Sequence, residues 1–148
     1  MLLDPRGPRF AAALTALVLV VVLITGSGWL ALVQAAVFAV TAIDPRRGPY
    51  GLLYRALVAP RLGRPAELEP AAPVRFAQVL GFAFAVLAAV GYLSGTTALG
   101  LVMAAFALVA AFLNAAFGLC LGCEFYLAFR RLTGRPLAAR VPAPQARR

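Results

Sequence analysis

Cys120 and Cys123 are the only cysteines in this chain, and they stand three residues apart in the run Gly118-Leu119-Cys120-Leu121-Gly122-Cys123-Glu124. Two cysteines placed at random in 148 residues would show that spacing in about 1% of cases, so the pair reads as a unit. Residues i and i+3 on a helix share a face, close enough for a disulfide after modest adjustment. Gly118 and Gly122 would loosen the backbone to permit it. A helix beginning near Cys123 and running through Phe125 to Leu132 would put both thiols at its N-terminus, where the dipole favours the thiolate. Glu124 opposes that effect as a neighbouring negative charge, unless it acts as the proton acceptor. The chemistry indicated is thiol–disulfide exchange or sulfur relay, with Cys120 as candidate nucleophile, Cys123 as resolving thiol and no cofactor.

Other readings of the same residues carry less. Cysteine is a small apolar side chain and is often simply packed. A metal site needs more ligands than two cysteines and Glu124, so a dimer would have to complete it. Covalent haem needs His after the second cysteine, where this chain has Glu124. The chain has no His at all, which excludes Ser-His-Asp and Cys-His catalysis and His-ligated metals within it. A thioredoxin fold needs a βαβ pattern that is absent.

The elements that must hold this pair are membrane helices. The chain is 63% hydrophobic with a mean hydropathy of +0.89, against about 45–50% apolar in soluble domains. Uncharged apolar runs cover 10–25, 29–43, 76–93 and 98–119, predicting an all-α, polytopic membrane protein of four transmembrane helices arranged as two hairpins. The second run, at fifteen residues, reaches only about 22 Å against a core of about 30 Å. It spans if the turn residues join it or the bilayer thins; a re-entrant hairpin is the competing reading. Arg6 and Arg9 before the first run mimic a signal peptide, but the run leads into a second apolar stretch without a convincing cleavage site, so both are expected to be retained.

Between the hairpins lies a Pro- and Arg-rich stretch, Asp44 to Arg75. Its segment Tyr50–Val58 is amphipathic and short, which fits an interfacial helix or an ordinary loop. Residues 1–132 read as one membrane domain, and 133–148 as a disordered basic tail.

All fourteen basic residues are Arg, consistent with a GC-rich bacterial source, and the net charge is +9. Every Arg lies in the N-terminal segment, the central loop or the C-terminal segment, and the turns Gly26-Ser27-Gly28 and Ser94-Gly95-Thr96-Thr97 carry no charge. The positive-inside rule then places both termini, the central loop and the cysteines on the cytoplasmic side of a bacterial inner membrane. A stable structural disulfide is not expected in that reducing compartment. Arg flanking apolar runs also argues against nucleic-acid binding.

The halves echo each other. Arg9-Phe10-Ala11 opens the first run and Arg75-Phe76-Ala77 the third, Ala36-Val37-Phe38-Ala39 answers Ala104-Ala105-Phe106-Ala107, and Tyr54-Arg55-Ala56-Leu57 answers Phe129-Arg130-Arg131-Leu132. Such a repeat would be parallel, related by an axis along the membrane normal. Asp4-Pro5-Arg6 and Asp44-Pro45-Arg46 repeat a rigid charged turn that would pair Asp with Arg. Asn114 is a structural polar residue, facing away from the cysteines on an ideal helix and expected to bond a neighbouring helix, as are Gln34 and Gln78.

Pro8-Arg9-Phe10-Ala11, Pro49-Tyr50-Gly51-Leu52-Leu53-Tyr54-Arg55, Ala72-Pro73-Val74-Arg75-Phe76-Ala77-Gln78 and Phe112-Leu113-Asn114-Ala115-Ala116-Phe117-Gly118-Leu119-Cys120-Leu121-Gly122-Cys123-Glu124 resemble the bacterial membrane family called domain of unknown function 4395, over roughly Asp4 to Leu132. The resemblance implies a membrane fold, an actinobacterial setting and a thioredoxin-like or sulfurtransferase protein as partner beside the lipid bilayer. It brings no activity. Three functions therefore compete: a membrane dithiol protein, a carrier for a small sulfur compound, and a non-catalytic subunit whose Arg-rich face docks a partner. No ionisable residue lies mid-membrane, which weighs against the carrier.

Overall fold

The computed structural model describes residues 1–135, 137–138 and 140–142. Among them the chain forms α1 (Arg6–Thr25), α2 (Gly28–Ile43), α3 (Pro49–Leu57), α4 (Ala59–Leu62), α5 (Ala71–Leu93), α6 (Thr97–Phe117) and α7 (Leu121–Leu132), with three short strands β1 (Leu2–Leu3), β2 (Glu67–Pro70) and β3 (Val141–Pro142). Of these helices α1, α5 and α6 are long and apolar enough to cross a membrane, at 20, 23 and 21 residues. The apolar α2 has 16 residues.

Local chemistry sets the helix ends. Asp4 Oδ1 accepts the Arg6 N–H at 2.9 Å, and α1 starts there, tolerating Pro8 in its first turn. At the far end Gly26 donates its N–H to Val22 O, and Ser27 Oγ accepts the Leu30 N–H at 3.2 Å to open α2. The α2 exit repeats the entry device of α1, with Asp44 Oδ1 accepting the Arg46 N–H at 3.0 Å. Both Asp-Pro-Arg turns therefore use the carboxylate on backbone first; Asp44 also pairs with Arg47 at 3.5 Å. Helix α5 starts five residues before its apolar run because Pro73 fits a first turn, whose N–H groups lack helical partners anyway.

Helix α2 packs along α5, α1 along α6, and α5 against α6. The α1–α2 pair is the loosest of the four neighbouring pairs. Next to the uncharged turns the core is built of small residues: Ala31, Ala88, Ala89 and Ala104 are fully buried with Val22. A Cβ on Gly91 would overlap the backbone of Gly100, so α5 and α6 close on their backbones there. Outward, Leu17, Ile24, Trp29, Val33, Phe112 and many other large apolar side chains are exposed, the face expected of helices in contact with lipid.

The opposite end carries α3, α4, α7 and a small antiparallel sheet. Leu2 and Leu3 pair with Pro70 and Glu69, and Glu67 and Leu68 pair with Pro142 and Val141. Residues 141–142, expected within a disordered tail, thus run beside β2, and Arg140 lies 3.5 Å from Glu67. The remainder of that expectation, at 136, 139 and 143–148, lies outside the described residues. Two arginines at this end cap helices they do not belong to. Arg9 on α1 donates to the carbonyls of Ala115 and Ala116 at the end of α6, and Arg75 on α5 donates to that of Ala42 at the end of α2. Such caps satisfy carbonyls that a helix end leaves free.

Candidate functional site

The cysteine run sits on a reversal between α6 and α7, not on a continuation of the last long helix. Gly118 has φ +69°, and its N–H bonds to Asn114 O at 3.0 Å while Leu119 N–H bonds to Leu113 O at 3.3 Å. This left-handed cap ends α6 at Phe117 and suits glycine, which lacks the Cβ that would clash. Two residues later Cys120 is the N-cap of α7, and its Sγ accepts the Cys123 N–H at 3.3 Å. The two sulfurs are bonded to each other, with Cα atoms 5.2 Å apart. The pair thus stands at disulfide distance within one turn. Glu124, exposed in the first turn of α7, donates its N–H to Cys120 O at 2.9 Å and puts a negative charge at the favourable end of the helix.

Gly122 has a different role from the loosening expected of it. A Cβ there would lie 2.7 Å from Ala77 Cα, so Gly122 lets the first turn of α7 press against α5. Further along, Tyr126 meets Phe76 with ring centroids 5.6 Å apart and Leu127 is buried. The same contact joins α3 to α1, where Phe10 and Tyr54 are 5.8 Å apart.

Cys120 and Cys123 line a cavity of about 470 Å³ among the helices. Its wall comes from Ala12 and Thr15 on α1, Phe38 on α2, Gly81 and Phe84 on α5, and Phe106 and Ala110 on α6. Asp4, Arg9, Glu69 and Glu124 line it at the end that carries the cysteines. No residue of the two uncharged turns borders it; that half of the bundle is filled by the small-residue core. The cavity is thus entered from the arginine-bearing end and stops near mid-depth.

Asn114, expected to face away from the cysteines, lines the same cavity. The ideal-helix projection fails because Gly118 turns the chain back before Cys120 is reached. Gln78 lines it too. Among the described residues neither amide side chain is hydrogen-bonded to protein. Gln34 does act between helices: fully buried, it donates to Thr15 Oγ1 at 3.4 Å and accepts from the Tyr50 hydroxyl at 2.8 Å.

Sequence reading missed Tyr50, Tyr54 and Asp4 as parts of the site. The Tyr54 hydroxyl donates to Asp4 Oδ2 at 2.9 Å, and burial, then that hydrogen bond and the Asp4 charge, push its pKa up to about 12. Burial also raises Tyr50 and Glu69, the latter against the pull of Arg140. The available signal was the i, i+4 spacing of the two tyrosines, which puts them on one face of a short helix. Among the described residues no three His, Cys, Asp or Glu side chains converge as a metal site requires.

A family model described as domain of unknown function (DUF4395) matches residues 3–131, and the chain belongs to that family. Comparison with curated proteins returns no match, and neither does comparison with solved structures.

Proposed function

We propose that this chain is a multi-pass protein of the bacterial cytoplasmic membrane that carries out thiol–disulfide exchange or sulfur relay through Cys120 and Cys123. The observation that carries the reading is the pairing of the two sulfurs at the N-terminus of α7, on the wall of a cavity inside the bundle. A sulfur that receives a backbone N–H at a helix N-cap is stabilised as the thiolate, the form that attacks a disulfide. Reduction and re-formation of this bond need no distant movement, because both cysteines sit within one turn.

In this reading the shorter α2 crosses the bilayer together with α1, α5 and α6. The 16 residues of α2 reach about 24 Å and need local thinning or the flanking turn residues to complete the span. Its packing along the 23-residue α5 supports a crossing over a re-entrant loop. Both termini, α3 and α7 lie at the cytoplasmic face, where all the described Arg residues gather. The helices form two hairpins related as a parallel repeat. Three correspondences support it: α1 packs on α6 as α5 packs on α2, Arg9 and Arg75 cap across the halves, and Phe10–Tyr54 matches Phe76–Tyr126. The partner at the cytoplasmic face is a thioredoxin-like or sulfurtransferase protein. A carrier is less well supported, since a cavity that ends at mid-depth serves a site better than a conduit.

The test is alkylation of thiols in intact cells, read as a gel shift, with single Cys→Ser variants used to trap mixed disulfides. The expected result is a mixed redox population that follows added oxidant and reductant, and a trapped partner from one variant. If the pair stays in one redox state throughout and neither variant traps a protein, the reading is wrong.

A further inference from the structure

We infer that the cavity beside Cys120 and Cys123 binds the ring of a lipid-soluble quinone, which takes the electrons of the reduced pair. The inference rests on the dithiol reading above and names the second substrate of that site. It starts from what the cavity offers. Past its charged rim the wall is apolar and aromatic, with Phe84 and Phe106 at 6.2 Å between centroids. The polar groups there are neutral, and two of them, Gln78 and Asn114, present amide donors that no protein acceptor occupies among the described residues. Both side chains are half-buried on the cavity wall, so these donors are free to meet a ligand's acceptors.

These features select the ligand's chemistry. Nothing at depth compensates a charge, which disfavours a sulfur anion or a charged thiol. A flat ring stacks on the aromatic wall, and its two carbonyl oxygens meet the amide donors. A volume of about 470 Å³ has ample room for such a ring. A membrane-embedded dithiol has a protein partner only at its aqueous face; a two-electron acceptor that dissolves in lipid serves the other face.

The step balances without a further reagent. Two S–H bonds of Cys120 and Cys123 break and one S–S bond forms, so the pair loses two electrons and two protons. The quinone gains both, its two carbonyl oxygens becoming the hydroxyls of the hydroquinone. The disulfide is then reduced by thiol exchange at the cytoplasmic face, which returns the pair to its starting state.

The experiment uses the full chain in lipid nanodiscs, reduced and freed of reductant, mixed with a short-tailed naphthoquinone. The expected result is one hydroquinone formed per protein, with loss of two thiols and a rate that saturates with quinone. Ala110→Phe, which fills the cavity, should slow this by about tenfold while leaving oxidation by diamide unchanged. Asn114→Leu should raise the quinone concentration for half-saturation, and it stands as the second variant if Ala110→Phe does not fold by circular dichroism. A non-saturating rate, or variants that react like the parent, overturns the inference. Failure here with the pair still cycling and trapping partners in cells would remove the quinone alone; a pair that never cycles would remove the dithiol reading instead.

Discussion

The Tyr50 hydroxyl donates a 2.8 Å hydrogen bond to Oε1 of Gln34, a side chain with no solvent exposure on α2. Through Gln34 Nε2 the link continues to Thr15 on α1. This chain of three polar groups ties the loosest helix pair together beside the cavity. Tyr50→Phe leaves the Gln34 oxygen unpaired in the core and should cost about 1 kcal/mol. Gln34→Leu removes the buried amide altogether, so Tyr50→Phe added to it should cost much less than it does alone. Unfolding measurements on the two single variants and the double variant in detergent form the cycle; additive losses would mean that the two residues do not act together.

The sequence made the long helices readable because an uncharged apolar run has few alternatives, whereas the short amphipathic segment Tyr50–Val58 fitted a loop as well as the helix α3 that it forms. It did not reveal the sheet. Strands as short as Leu2–Leu3 and Val141–Pro142 have no periodicity, and their pairing joins segments far apart in the chain. The cysteines were legible as a pair, but their place was not. Extending an ideal helix past Phe117 put Asn114 on the wrong side, because the sign of φ at Gly118 cannot be read from glycine alone. Gly122 looked like a flexible joint and proved to be a contact, which depends on where Ala77 lies.

Cys120 should be the faster thiol. Its sulfur faces the Cys123 N–H at the N-cap, while Cys123 lies one turn further in. In the reduced protein at neutral pH, Cys123→Ser should leave a thiol that alkylates about 2- to 5-fold faster than the one left by Cys120→Ser. Bimane labelling rates decide it, and the reverse order would make Cys123 the attacking residue.

Gly122→Leu should push α7 off α5, since even a Cβ would lie 2.7 Å from Ala77 Cα and from its Cβ. The expected cost is about 1–3 kcal/mol. Ala77→Gly removes one of the two obstructing atoms, so the double variant should recover part of the loss in thermal unfolding. No recovery would mean that Gly122 matters for its backbone instead.

Arg9 and Arg75 should protect each other's half. Arg9→Met frees the carbonyls of Ala115 and Ala116, and Arg75→Met frees that of Ala42. Each should cost about 1 kcal/mol and fray the helix it caps. Hydrogen exchange should therefore rise in the last turn of α6 for the first variant and of α2 for the second. Exchange that rises in the variant's own helix alone would break the cross-capping account.

Tyr54 gives the fold an alkaline limit. Its hydroxyl donates to Asp4 while buried, and its pKa rises from 10.0 to about 12. The folded protein therefore favours the neutral phenol. The contribution is fully present below pH 10, where Tyr54 is neutral in both states. Between pH 10 and about 12 the unfolded chain ionises while the folded chain resists, so stability falls across that window. Tyr54→Phe removes this residue's share of the fall. At pH 8 the variant should be weaker than the parent by about 1 kcal/mol, because Asp4 loses its donor. The gap should narrow as pH rises, since only the parent carries the ionising group. Thermal unfolding of both proteins in detergent at pH 8, 10, 11 and 12 measures it, and a gap that stays constant would show that Tyr54 does not titrate with folding.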